Sequence, residues 1–375
     1  MPITLNGDTG IQTPMYNGTI TANAVTPSVN MKNRIINGAM VIDQRNAGAS
    51  VTPTANTYTL DRWNANISQA SKISIQQNAG SVTPPVGFSN YLGITSLAAT
   101  SLGAGDYYII QQPIEGYNIA DLNWGTANAK TVTLSFWVRS SLTGTFGGSF
   151  SNSGGTRSYP FTYTISSANT WTQASITIAG DQSGTWLTTN GLGIVIYFGL
   201  GVGTTYSGTA STWAAANYGS ATGATSVVGT NGATFYITGV QLEVGSTATS
   251  FDYRPYGTEF SLCERYFQKY NGNSVGTASE GGFVAVAIYS GTAGYTGLTF
   301  PQMRTGPSFS YSSLNDFTIF SDGVSRTPLT NFVTNGSSNN RMEIYLNWGS
   351  NLTGGFSAWL RINTASGFYS FSAEL

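Results

Sequence analysis

Two pairs of carboxylates, Asp106 with Glu115 and Asp61 with Glu243, are the residues in this sequence best suited to covalent chemistry. If strand pairing held either pair roughly 5–10 Å apart across a cleft, it would have the spacing that glycosidic hydrolysis requires. Other routes are closed by composition. The 375-residue chain has no histidine and a single cysteine, Cys263. This removes Ser-His-Asp and Cys-His hydrolysis, histidine or thiolate metal centres and the usual proton shuttle near neutral pH. Nothing in the spacing of the two carboxylate pairs demands that they meet. The 16 acidic residues are spread evenly along the chain, and chance proximity is the better account. No catalytic residue is therefore expected. Gly199-Leu-Gly-Val-Gly203 has the glycines of a phosphate loop, but neither a helix pattern nor a Lys-Ser/Thr pair follows it.

Binding is the stronger expectation. Between Gly199 and Gly232 the hydrophobic pattern breaks down for far longer than a hairpin needs, and connections of that length usually carry function or are disordered. This stretch holds Tyr206, Trp213 and Tyr218 among Ser, Thr and Asn. Aromatic rings can stack on the apolar faces of sugars while amides and hydroxyls bond their oxygens, so these three are the candidate contacts for a neutral glycan. Trp213 has a second reading, in which it tucks into a sheet edge or a neighbouring subunit.

The elements that must position these residues read as strands. Charged residues make up 8% of the chain, against 46 glycines and 13% aromatics, a mixture that favours β-rich, turn-rich architecture over helices with charged outer faces. In Thr131–Val138, Val132, Leu134, Phe136 and Val138 share one face, the alternation of an antiparallel strand with one side in a core. Similar segments are Ile73–Gln76, Tyr107–Gln111, Trp171–Ile178, Gly193–Phe198 and Phe235–Val244, the last changing face at Gly239 as a bulge would make it do. Together they predict two packed antiparallel sheets, a jelly roll, over residues 33–256.

Residues 257–275 are expected to hold a helix and a linker. Thr258 would cap Gly257–Tyr270, whose Phe260, Cys263, Phe267 and Tyr270 fall on one narrow apolar stripe able to face another domain or another copy of the chain. Residues 276–375 read as a second β-sandwich, with core faces such as Met342, Ile344, Leu346 and Trp348. The overall class is all-β. Residues 1–32 cannot bury enough surface to fold alone, so a partner or copies of the same chain must order them.

A net charge of −1 with no basic run offers no footprint for nucleic acid. No run of about 18 apolar residues is present to insert into a membrane. The first ten residues have neither the basic start nor the apolar core of a secretory signal.

Five stretches carry a resemblance. Ile237-Thr-Gly-Val-Gln-Leu-Glu-Val-Gly-Ser-Thr-Ala-Thr-Ser-Phe-Asp-Tyr-Arg-Pro-Tyr-Gly257 resembles the last strand and exit of the jelly-roll, carbohydrate-binding-module-like domains of bacteriophage tail fibre proteins. Asn33–Gly48 and Tyr58–Trp63 are similar to the opening of the same domain, so the resemblance covers roughly residues 31–270. Ile3–Pro14 is similar to the virion-attachment start of phage fibres, and Pro301-x-Met-Arg-x-x-Pro307 resembles a stretch of their C-terminal domains. The resemblance implies a virion structural protein, a tail fibre or receptor-binding protein on the phage tail or particle surface. It would be a homotrimer, joined to other virion proteins through residues 1–32, with host surface polysaccharide as its ligand and the C-terminal domain as its tip. A capsid decoration or head-fibre protein and a polysaccharide depolymerase are the alternatives. Such modules often hold a structural Ca²⁺, and Asp61, Glu243 and Asp252 lie in suitable regions, but no ligand-dense loop is present and neither metal nor cofactor is assigned.

Overall fold

The computed structural model describes residues 4–6, 10–12, 31–272, 281–321, 324–326, 329–349, 352 and 357–375. The chain divides into two units, Met1–Lys32 and Asn33–Leu375. In the first, Thr4–Asn6 pairs antiparallel with Gly10–Gln12, Leu5 opposite Ile11. The rest of the expected attachment segment, 1–3, 7–9 and 13–30, lies outside the described residues.

Among its described residues the second unit is all-β with one α-helix and a few short 3-10 turns. A six-stranded sheet runs in the order Ser158–Ile165, Gly144–Asn152, Leu192–Val202, Tyr107–Glu115, Trp63–Ile67, Thr57–Leu60. A five-stranded sheet runs in the order Thr172–Ile178, Val132–Ser140, Thr234–Val244, Leu92–Ser96, Ile73–Gln77. Every pairing within the two sheets is antiparallel. Their inner faces form one core, in which Trp63, Tyr108, Ile110, Phe150, Phe161, Ile196 and Phe198 from the first sheet meet Leu134, Phe136, Phe235 and Ile237 from the second. This is a jelly-roll sandwich. The Thr234–Val244 ladder slips register between Thr238 and Gln241, where Gly239 has φ 61°. That is the extra residue the face change required.

The helix is shorter than the apolar spacing predicts. It spans Tyr256–Glu264, begins after Pro255 and takes no side-chain cap from Thr258. Glu259 instead accepts from the backbone N–H of Asn37 and from Arg254 at 3.0 Å. Where the last turn was expected, Phe267–Asn271 is a strand pairing with Phe368–Ser372, which also pairs with Ser308–Tyr311. The ladder offered by a strand a hundred residues away prevails over the local helical spacing. Cys263 therefore packs with Ile36, Ile42 and Tyr266, with Phe260 against them, while Phe267 and Tyr270 belong to the new sheet. The four residues do not form a single stripe.

A seven-stranded sheet completes the C-terminal half, in the order Val324–Arg326, Phe317–Ser321, Ser357–Ile362, Gly281–Ser290, Ala293–Thr299, Arg341–Trp348, Leu329–Ser337. Met342, Ile344, Leu346 and Trp348 face inward and pack with Met303, Phe317, Leu360 and Phe371. The expected linker at 271–276 falls largely on residues outside those described.

The two sandwiches meet through buried charge. Arg62, 1% exposed, pairs with Glu374, lies 3.6 Å over the Tyr266 ring and donates to the Pro113 carbonyl at 2.6 Å. Arg45 joins Glu374 at 2.6 Å. Beside them, Arg265 and the Tyr266 hydroxyl both bind the Glu115 carboxylate, at 2.5–2.8 Å and 2.6 Å. Burial raises the Glu115 pKa, but these donors outweigh it and hold the carboxyl below its usual value. Arg304, from the Pro301–Pro307 stretch, donates to the carbonyls of Ala373, Glu374 and Asn190, tying the second sandwich to the first. A buried guanidinium left without its anion is heavily penalised, so Glu374→Gln is expected to cost about 3–5 kcal/mol. Urea unfolding of the purified chain measures it, and an unchanged midpoint would contradict this account of the joint.

Candidate functional site

A strand that buries one face must turn the other outward. In Leu192–Val202 the core takes Ile194, Ile196 and Phe198, so Tyr197 points away from it. Tyr108 and Ile110 likewise send Tyr107 and Ile109 to the outer face, and Trp63 and Ala65 do the same for Asn66. These strands are neighbours, with Tyr197 opposite Gln111 and Asn66 opposite Ile109. The outer face of the six-stranded sheet thus collects tyrosines and amides from three strands.

The long connection after Val202 lies across this face. A parallel bridge joins Ser207–Gly208 to Ser220–Ala221. Ser158 pins the middle of the connection, donating to the Ala216 carbonyl at 2.7 Å and accepting from the Tyr218 N–H. Close approach depends on missing side chains. A Cβ at Gly147 or Gly199 would fall 2.4 or 2.8 Å from the Ser220 Oγ, and one at Gly219 would fall 2.4 Å from the Ile109 Cδ1.

Between loop and sheet is a cleft of about 130 Å³, lined by Asn66, Tyr107, Ile109, Tyr197, Tyr206, Asn217 and Gly219. That volume is close to the ~150 Å³ known to hold a single six-membered ring. Tyr206 stands edge-on to Tyr107, ring centres 5.3 Å apart. Burial pushes the Tyr197 phenol up to about 12, with Ser151 pulling the other way, so it remains neutral. Asn66 spends its amide N–H on Gln111 at 3.2 Å and leaves a buried Oδ1 without a partner. A neutral ring with hydroxyls would find apolar ring faces, phenol hydroxyls and side-chain amides here.

Of the three aromatic residues expected at a glycan site, only Tyr206 lines this cleft. Tyr218 lies against Gly208, where its ring holds the loop closed on itself. Trp213 is elsewhere, in an indole cluster with Trp124 and Trp186 at 5.4 and 5.6 Å, with Tyr159 at 5.1 Å. Its Nε1 donates to the Ala179 carbonyl at 2.9 Å. Tyr107, Tyr197, Asn66 and Asn217 were not among the expected contacts. The alternation of their strands was visible, but which outer faces adjoin depends on long-range pairing.

The structure does not bring Asp106 and Glu115 together. Asp106 and Glu115 flank the ends of one extended strand, roughly 30 Å apart at ~3.3 Å per residue. Asp106 accepts from Ser68, Gln69 and the Gly103 N–H, while Glu115 belongs to the joint between the sandwiches. Glu243 binds Thr249 and Gln241, and Asp61 binds Gln44 through its N–H and amide. Asp252 accepts from the Asn33 N–H. Among the described residues no group of three or more Asp, Glu or Cys could hold a metal ion, and no helix is long and apolar enough to cross a membrane.

No protein-family model matches the sequence, and no curated protein does. Among solved structures it is similar to a putative sugar binding protein from Bacteroides thetaiotaomicron, at 13% identity over 57% of this chain and 100% of that one, TM-score 0.33. The family 11 carbohydrate-binding module of the cellulosomal cellulase Lic26A-Cel5E of Clostridium thermocellum is 13% identical over 54% and 99%, TM-score 0.26. The enzymatically active domain of bacteriophage CBA120 tailspike protein 4 is 12% identical over 57% of this chain, TM-score 0.29, and the match spans 22% of that chain. At these scores the jelly-roll assignment rests on strand order and pairing alone.

Trp213→Ala removes a half-buried indole packed against the core and is expected to cost about 2 kcal/mol; an unaltered unfolding midpoint would show that the indole cluster adds nothing to stability. Asp61 gives a pH test. Burial pushes its carboxyl from 3.8 up to about 6, so between those values the folded state holds a proton that the unfolded chain has lost. The stability it contributes is present at low pH and is lost as pH rises through about 6. Asp61→Asn should therefore narrow the difference in unfolding midpoint between about pH 4 and pH 7; an unchanged difference would place the titration elsewhere.

Proposed function

We propose that this chain is a glycan-attachment protein of a phage particle, a tail fibre or receptor-binding protein, which holds a neutral host-surface saccharide in the cleft between Tyr107, Tyr197 and Tyr206 and performs no reaction on it. The observation that carries the reading is the cleft itself: ring-sized and walled by Tyr107, Tyr197 and Tyr206, with Asn66 and Asn217 beside them and no Lys or Arg in its lining. An anionic ligand would need a partner for its charge, and none of the lining residues is basic. The resemblance of Ile237–Gly257, Asn33–Gly48 and Ile3–Pro14 to phage fibre segments supports the setting. In that setting residues 1–32 join the chain to other virion proteins and three copies act together, so weak single sites sum by avidity. The separation of Asp106 from Glu115 supports holding over cleaving.

Calorimetric titration of the purified chain with a panel of neutral bacterial oligosaccharides tests the reading. Tyr197→Ala is expected to weaken binding about tenfold, ~1.4 kcal/mol, measured at a temperature where the variant is fully folded. Equal affinity in the variant, or release of shorter oligosaccharides by the native chain, would overturn it.

A further inference from the structure

A second aromatic surface lies on the outer face of the seven-stranded sheet. Val286 and Ile288 point into the C-terminal core, so Ala285, Ala287 and Tyr289 of the same strand point out, Tyr289 with 72% of its surface exposed. Ala287 stands opposite Tyr295, and Tyr295 opposite Tyr345. The Tyr295 ring is 5.7 Å from Tyr289 and 4.9 Å from Tyr345. Asn347, on the same face, donates to the Tyr345 hydroxyl at 3.4 Å. On the other side of the alanines, Ala285 stands opposite Trp359 and Ala287 opposite Ser357, both exposed. At ~4.8 Å between strands, the backbones carrying Tyr295 and Trp359 are roughly 10 Å apart. The face is a shallow trough with an alanine floor and aromatic walls.

Its charge selects the occupant. No Asp, Glu, Lys or Arg stands among Ala285, Ala287, Tyr289, Tyr295, Tyr345 and Trp359. The nearest along these strands stand singly at its margin: Arg361 lies 3.8 Å over the Phe320 ring, Glu343 accepts from Asn335, and the exposed Arg341 reaches alongside Gly297. A polyanion or an anionic membrane would find no basic cluster. A second protein chain packing flat would bury three phenol hydroxyls beside Asn347 and Ser357, each costly without a partner. A chain of neutral sugar rings can lay apolar faces on the tyrosines and supply hydroxyls to the same groups.

We propose that this trough is a second saccharide-binding surface for neutral polysaccharide, separate from the Tyr197 cleft. The inference rests on the glycan reading of that cleft and extends it to a chain with two saccharide contacts per copy. Affinity electrophoresis of the full-length protein through gels containing β-glucan, galactan or mannan tests it. Four forms are compared: unaltered, Tyr197→Ala, Tyr295→Ala with Tyr345→Ala, and all three changes together. The gel that retards the unaltered protein should show about threefold or greater loss of affinity for each altered form, and near-complete loss for the triple. Should the double variant not fold, Tyr289→Ala, at a highly exposed position, replaces it. Loss with Tyr197→Ala and none with the trough variants overturns this proposal and leaves the cleft standing. Loss with the trough variants alone overturns the cleft and keeps the trough. No retardation of the unaltered protein by any of the three polysaccharides overturns both. A change of oligomeric state in the trough variants, seen by sedimentation, would assign the face to self-association instead.

Discussion

The two-residue period of an extended strand is the constraint from which the rest of this structure follows. Each buried isoleucine or phenylalanine obliges its neighbours to face outward, and in this sequence those neighbours are repeatedly tyrosine, asparagine, serine or glycine. With few charges available, a solvent-facing sheet surface becomes a set of neutral rings, amides and hydroxyls. Tyr197 is outward because Ile196 and Phe198 are inward; Tyr295 and Tyr345 are outward because Thr296, Ile344 and Leu346 are buried. Glycine at 147, 199 and 219 then lets a loop lie on one of these faces and turn a flat surface into a cleft.

Charge is kept for a different task. Among the described residues, the two most deeply buried members of ion pairs, Arg62 and Glu115, lie where the sandwiches join, with Glu374, Arg45 and Arg265 beside them. Such pairs add little net stability over apolar packing, but they penalise misalignment, because a small shift leaves a buried charge alone. That is a means of orienting two sandwiches whose other contacts are non-directional. It also explains the Pro301–Pro307 stretch, whose Met303 is in the core and whose Arg304 grips the backbone on both sides of the joint.

Much of the fold was legible in the sequence because strand periodicity is local. Val132, Leu134, Phe136 and Val138 announced an inner face, and Gly239 announced its bulge. What was not legible depended on partners distant in the chain. Phe267 and Tyr270 satisfy a helical spacing, and only Phe368–Ser372, a hundred residues later, makes them a strand. Trp213 sits among polar loop residues like a binding aromatic, yet Trp124 and Trp186 close around it from other segments. Tyr107 and Tyr197 could each be placed on an outer face, but that these faces adjoin, with Asn66 and Tyr206 beside them, follows from pairings that no short window contains.

The central claim is that a neutral saccharide is held against Tyr107, Tyr197 and Tyr206. Photo-crosslinking a neutral oligosaccharide probe to the intact protein, followed by peptide mapping, tests this most directly. The account predicts covalent label on peptides carrying these three tyrosines, competed away by unlabelled saccharide. Competable label confined to the Trp213 cluster or to the joint around Arg62, or no competable label anywhere, would contradict it.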